Sequence, residues 1–183
     1  MQSAINWPQA FLPGTTDNFV TNEVIVKDIT SAQIWPLLSD ISKWESYYDN
    51  VSQITPPSSG VSLHKGDIFY FSTFGFPVLE SKVEESDAPS PGKPGRLAWS
   101  AKLEGDADHR VEVYHAWLVE DLEGPARVRI LTQESQKGKP VVQMAQAKPN
   151  RMLLGHQDWC EGLVRAASGK EGKASSTNLG SVS

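Results

Sequence analysis

Only one stretch of this sequence reads as a long amphipathic helix, and it stands last. Pro149 and Asn150 open it, and Leu153, His156, Cys160, Leu163 and Ala167 then recur at spacings of three and four. Met152 and Trp159 widen that stripe. Most of the chain before it alternates at the period of a β-strand. A sheet must bury at least one face, and this helix is the one long element available to cover it.

The strand signals come in order. Val20, Asn22, Val24 and Val26 alternate with Thr21, Glu23, Ile25 and Lys27, which predicts a strand over 19–27. Thr30 followed by Gln33 is a capping-box signature, and Ile34, Trp35, Leu37 and Leu38 supply a helical stripe. Pro36 removes a backbone donor there and predicts a kink. A second short helix follows through Ile41, Trp44, Tyr47 and Tyr48. Strands are then predicted at 51–55, 66–74, 78–86, 95–104, 110–121 and 126–137, separated by Pro- and Gly-rich turns such as Pro56-Pro57 and Gly75-Phe76-Pro77. Loops this short join antiparallel neighbours, not crossovers. Gly138 and Pro140 end the sheet.

The expected fold is α+β of the helix-grip kind. A curved seven-stranded antiparallel sheet wraps the long C-terminal helix, two short helices follow the first strand, and an apolar cavity lies between sheet and helix. Residues 1–18 are expected to form an irregular arm with Trp7 and Phe11 pinned to the body. Residues 19–167 form the domain. Residues 168–183, rich in Gly, Ser and Lys, are expected to be a disordered tail.

Composition narrows the function. The chain has 183 residues, 39% of them hydrophobic, enough for one domain with a substantial core. Its net charge is −5 and its Lys and Arg never form a run, which argues against nucleic acid or an anionic membrane as partner. A single cysteine, Cys160, allows no intrachain disulfide. No secretory signal opens the chain, and no apolar run approaches the roughly 20 residues of a spanning helix. A cytoplasmic protein without membrane insertion is expected; nothing here sets its oligomeric state.

No standard catalytic motif is present. The sequence has no phosphate-binding glycine loop and no nucleophile elbow, and its histidines lack metal-ligand spacing. Neither metal nor cofactor is expected. Attention falls on the cavity wall. Val111, Val113, His115, Trp117 and Val119 share one face of their strand, taken as inward; Leu97, Trp99, Ala101 and Leu103 form the next row. A hairpin turn near 121–126 sets His115 opposite Thr132 and Val113 opposite Glu134. His115, Glu134 and Thr132 are the catalytic candidates, with burial expected to lower the imidazole pKa and raise that of the carboxyl. The competing reading is a structural histidine bonded to Thr132, with Glu134 in solvent at the rim. Trp44, Tyr47, Tyr48, Phe69, Phe71, Trp99, Trp117, His156 and Trp159 are the ligand-binding candidates, against the alternative that they are core. Cys160 reads as a small buried hydrophobe.

Several segments resemble the START-like polyketide cyclase/dehydrase superfamily. They are the stretch from Ile29 to Asp40 followed by Trp44, then Leu97-Ala98-Trp99, His115-Ala116-Trp117, and Gly155 to Leu163. The resemblance spans about residues 19–167 and implies a helix-grip fold around a hydrophobic small molecule. That superfamily contains carriers, receptors and cyclases and has no universal catalytic residue, so fold alone does not assign the chemistry. The expected function is a cofactor-free cyclase, working by aldol, dehydrative or pericyclic (Diels–Alder-type) chemistry on a hydrophobic natural-product intermediate. The alternative is a non-catalytic lipid or small-molecule carrier. A weaker third reading is a co-chaperone domain that uses the Pro-rich loop at 88–95.

Overall fold

The structure, a computed structural model, describes residues 2–124 and 126–169. Its strands are β1 (Asn18–Lys27), β2 (Val51–Thr55), β3 (Ile68–Thr73), β4 (Leu79–Asp87), β5 (Gly95–Leu103), β6 (Val111–Asp121) and β7 (Arg127–Lys137). Its helices are α1 (Ser31–Ser39), α2 (Trp44–Tyr47), α3 (Lys139–Gln146) and α4 (Arg151–Ala167). One antiparallel sheet holds all seven strands in the order β1-β7-β6-β5-β4-β3-β2. The α+β helix-grip fold expected from the sequence is the fold observed.

Local chemistry explains the element ends. The Thr30 N–H donates to Gln33 Oε1 at 2.9 Å, half of the capping box that starts α1. Asp121, at the end of β6, accepts from both Ser31 N–H and Ser31 Oγ at 2.7 Å, so a carboxylate sits at the positive end of α1 and ties it to the sheet. Pro36 lies inside α1 without ending it. Asn150 Oδ1 accepts from the N–H groups of Met152 and Leu153 and caps α4.

Three expectations need correction. Helix α3 follows the sheet directly, where the sequence reading places no element. Pro140 in its first turn is compatible with a helix start, since the missing donor is not needed there. The α4 stripe is rotated from the expected one: Met152, Gly155, His156, Trp159, Cys160 and Leu163 are buried, while Leu153 points out, 41% exposed. The β6–β7 hairpin is slipped by two residues, so His115 faces Glu134, Trp117 faces Thr132 and Val113 faces Gln136. The loop is longer than anticipated; the Leu122 N–H still donates to Arg127 O across it, and Gly124 takes a left-handed φ of 97°. An even slip keeps every side chain on its predicted face.

The concave face and α4 enclose the main core. Trp44, Trp99, Trp117 and Trp159 are each at most 1% exposed, with ring centroids 5.1–5.4 Å apart for Trp44–Trp159, Trp117–Trp159 and Trp44–Trp99. Each such ring removes roughly 150–250 Å² from water, about 4–6 kcal/mol before ordering costs. The convex face carries a second cluster of Ala98, Tyr114, Ala116, Leu118 and Leu131 beneath Ile5, with Trp7 and Phe11 packed on it. Arg129 fastens the chain start as well, donating to Ser3 O, Glu120 and Glu23. The expected tail from 168 lies, from residue 170 onward, outside the described residues.

Candidate functional site

The apolar space between sheet and α4 is narrower than the sequence suggests. The four tryptophans fill much of it. The surrounding pocket measures about 450 Å³ with its open mouth included, but only about 20 Å³ is deep enough for the centre of a water-sized molecule. That is room for one or two waters. Phe71, Trp99, His156 and Trp159 line this pocket, as do His115 and Glu134. Phe69, Trp44, Tyr47, Tyr48 and Trp117 do not; they are core. Trp44 Nε1 donates to Leu38 O, Tyr47 Oη to Leu37 O, and Tyr48 stacks on Trp159 at 4.4 Å. Phe74 and Phe76, with Gly75 between them at φ 77°, form the lip of the mouth.

One polar cluster stands in this apolar wall. Glu134 Oε2 lies 3.0 Å from His115 Nδ1 and 3.2 Å from His156 Nε2. The other edge of the His115 ring meets Thr132, with Nε2 at 2.7 Å from Oγ1. All four side chains are buried, and the two imidazoles stack with centroids 4.5 Å apart. Gln136 donates to Glu134 Oε1, accepts from Asn18 Nδ2 at 2.6 Å, and so links the cluster to Asn150, the cap of α4. Three elements deliver the cluster: β6 brings His115, β7 brings Thr132 and Glu134, and α4 brings His156.

The distances assign the protons. A carboxylate oxygen only accepts, so both facing imidazole nitrogens carry hydrogen and donate to it. His115 is then the Nδ1–H tautomer, and Thr132 donates its hydroxyl hydrogen to Nε2 at 2.7 Å in preference to Ala116 O at 3.4 Å. Burial pushes the His115 pKa down to about 4, overriding the pull of Glu134, so the ring is neutral near pH 7. Burial also pushes the Glu134 carboxyl up, but the charge and hydrogen bonds of His115, and then those of His156, outweigh it and hold Glu134 well below the usual carboxylate range. The expected lowering of His115 is present; the expected raising of Glu134 is reversed, because two histidines donate to one oxygen. The alternative of a Glu134 exposed at the rim also fails, since it is 5% exposed.

Sequence reasoning assigned His156 to the wall but not to Glu134. It missed Gln136 and Asn18 altogether. His156 Nδ1 is buried and makes no hydrogen bond. Burial pushes the Cys160 thiol up to about 12, in keeping with a buried apolar role.

No protein-family model matches the chain, and no curated protein matches it. Among solved structures, one domain of the aromatase/cyclase BexL, from the BE-7585A biosynthetic pathway, shares the fold at a TM-score of 0.55 and 10% identity, covering 80% of this chain and 45% of that one. Norcoclaurine synthase from Thalictrum flavum shares it at 0.52 and 14%, covering 83% of this chain and 94% of that one. The fold is that of the START-like polyketide cyclases. Within it the chain belongs to the same family as the hypothetical protein jhp0584 of Helicobacter pylori, which is 46% identical at a TM-score of 0.86, over 91% of this chain and 98% of that one. No helix among the described residues is long and apolar enough to cross a membrane.

Proposed function

We propose that the chain is a small-molecule cyclase whose pocket binds a hydrophobic intermediate and moves a proton on it, with Glu134 and His156 as the working pair and His115 and Thr132 holding them. One observation carries this reading: a buried carboxylate fixes His156 through Nε2–H and leaves Nδ1 as a partnerless proton acceptor in an apolar pocket. A carboxylate that orients an imidazole and stabilises its cation is a recurring way to make a general base. Glu134, held anionic, serves as orienter and not as acid. The chemistry supported is abstraction of a proton next to a carbonyl followed by ring closure, an aldol or dehydrative cyclisation that draws on the chain's own groups. Phe71, Trp99 and Trp159 would hold the substrate in a reactive shape, an effect on the order of several kcal/mol.

The norcoclaurine synthase and BexL folds support the class of reaction by likeness alone. The carrier reading uses the same pocket without the proton transfer, and two measurements separate them. Mass spectrometry of the freshly purified chain identifies what the pocket retains. That compound or its open-chain precursor is then offered to the wild type and to Glu134→Gln and His156→Gln variants. The expected outcome is turnover by the wild type that falls about 10²–10⁴-fold in both variants, with ligand affinity kept. Retention of a ligand that the wild type never converts would establish a carrier.

A further inference from the structure

We propose that the His115, Glu134 and His156 side chains also form a binding site for one divalent first-row transition ion, of the zinc or ferrous kind. This goes beyond the cyclase reading and does not rest on it, because a carrier would hold the ion equally well.

The geometry carries the proposal. His115 Nδ1, Glu134 Oε2 and His156 Nε2 come from three elements and lie within 4.8 Å of one another, all buried. The two nitrogens stand 3.0 and 3.2 Å from the shared oxygen. Ligands at about 2.0–2.1 Å around a tetrahedral ion lie roughly 3.3 Å apart, so the two nitrogen–oxygen distances suit an ion, and the stacked rings must turn for both in-plane lone pairs to meet it. Two imidazoles and one carboxylate are the donor set of many zinc and non-haem iron sites, which keep further positions for water or substrate. The pocket that these groups help to line has a free volume of about 20 Å³, which suits one such small ligand.

The groups behind His115 and Glu134 also fit. With an ion on Nδ1, the His115 proton moves to Nε2, which donates to Thr132 Oγ1 at 2.7 Å, and the Thr132 hydroxyl turns to Ala116 O at 3.4 Å. That proton is relocated, not lost; the His156 proton passes likewise from Nε2 to Nδ1, a buried nitrogen that no hydrogen-bond acceptor faces. Gln136 holds Glu134 Oε1 and leaves Oε2 for the ion. Such outer partners fix ring orientation and tautomer in metal sites. Ion binding and donation of both N–H groups to Oε2 exclude one another, so the metal-free chain offers a base and the metal-bound chain offers a Lewis acid.

The test uses the full chain, stripped with a chelator and titrated with Co²⁺ and then Zn²⁺ at neutral pH. The expected result is one Co²⁺ per chain with a visible d–d band, displaced by one equivalent of Zn²⁺. His156→Ala and Glu134→Gln should weaken binding more than about 100-fold, and Thr132→Val about 10–100-fold. Replacing exposed His64 and His109, each beside an aspartate, should leave it unchanged. A measurement on the unmodified chain guards against misfolded variants: Co²⁺ should shift the imidazole proton resonances of His115 and His156 and spare those of His64 and His109. Absence of a d–d band, or shifts confined to His64 and His109, overturns the proposal. A chain that binds Co²⁺ and converts no ligand sinks the cyclase reading alone; one that cyclises and takes up no ion sinks this one alone.

Discussion

At the scale of single residues, Thr132 decides the state of the site while touching none of the pocket. Its hydroxyl is the one partner of His115 Nε2 and thereby fixes the proton on Nδ1, where Glu134 needs it. Thr132→Val keeps the shape and removes the bond. A buried ring nitrogen without a partner costs about 1–3 kcal/mol, so metal-free Thr132→Val should lose that much in urea denaturation with the m-value unchanged. Imidazole ¹⁵N spectra should show the Nδ1–H form in the wild type and a tautomer mixture in the variant. A stability loss within about 0.5 kcal/mol, typical of inert surface changes, together with an unchanged tautomer, would show that Thr132 does not set the ring. The alternation of β6 made His115 and its inward face readable from the sequence. Thr132 was readable as its neighbour although the register was off by two, because an even slip preserves the face. The link from Glu134 to His156 was not readable, since no spacing relates a residue on a strand to one on a helix packed across a core.

At the scale of elements, α4 approaches its neighbours through two glycines that lie on one side of it. A Cβ at Gly162 would collide with the Tyr47 carbonyl oxygen, and a Cβ at Gly155 with the far edge of the Phe74 ring. The first obstacle is backbone and the second is a side chain at the lip, so the two substitutions should differ in kind. Gly162→Ala must push α2 away from α4 and should cost about 1–3 kcal/mol by overpacking, read as a lower thermal midpoint. Gly155→Ala should cost less and turn Phe74 outward, widening the mouth and raising affinity for bulky apolar dyes. Equal losses in both variants, with no change in dye binding, would contradict this account. Both glycines are visible in the sequence as part of the final helix, yet their purpose is not. Periodicity tells which face of a helix is buried, not how close the next backbone comes. For the same reason Trp44, Tyr48 and Trp117 read as cavity lining; face assignments carry no volumes, and these rings fill the space they were expected to surround.

At the scale of the whole molecule, the buried cluster makes the fold sensitive to acid. The His115 pKa drops from 6.5 to about 4 on folding, so the unfolded chain takes up a proton that the folded one refuses. That contribution is complete above about pH 6.5 and is lost as pH falls toward 4. Glu134 drops from 4.5 to about 2, so its contribution is complete above about pH 4.5 and is lost below it. Both act in one direction. The thermal midpoint should hold steady between pH 8 and 7 and fall continuously on acidification from about pH 6.5, and His115→Asn should flatten the upper part of that fall. A midpoint that rises between pH 6.5 and 4.5 would mean that the cluster is not neutral-histidine and anionic-glutamate in the folded state.

The pairing of β1 with β7 has a consequence for how the molecule is made. Val20 lies opposite Glu134 in that ladder, so the first strand finds its partner only among the last residues of the sheet. During synthesis β1 waits with an unpaired edge until nearly all of the sheet has left the ribosome, while the hairpins from β2 to β6 can close as they emerge. Folding is therefore expected to be slow in its final step, and the histidine–glutamate cluster is born with it: Glu134 arrives on the last strand of the sheet and His156 on the helix that follows it.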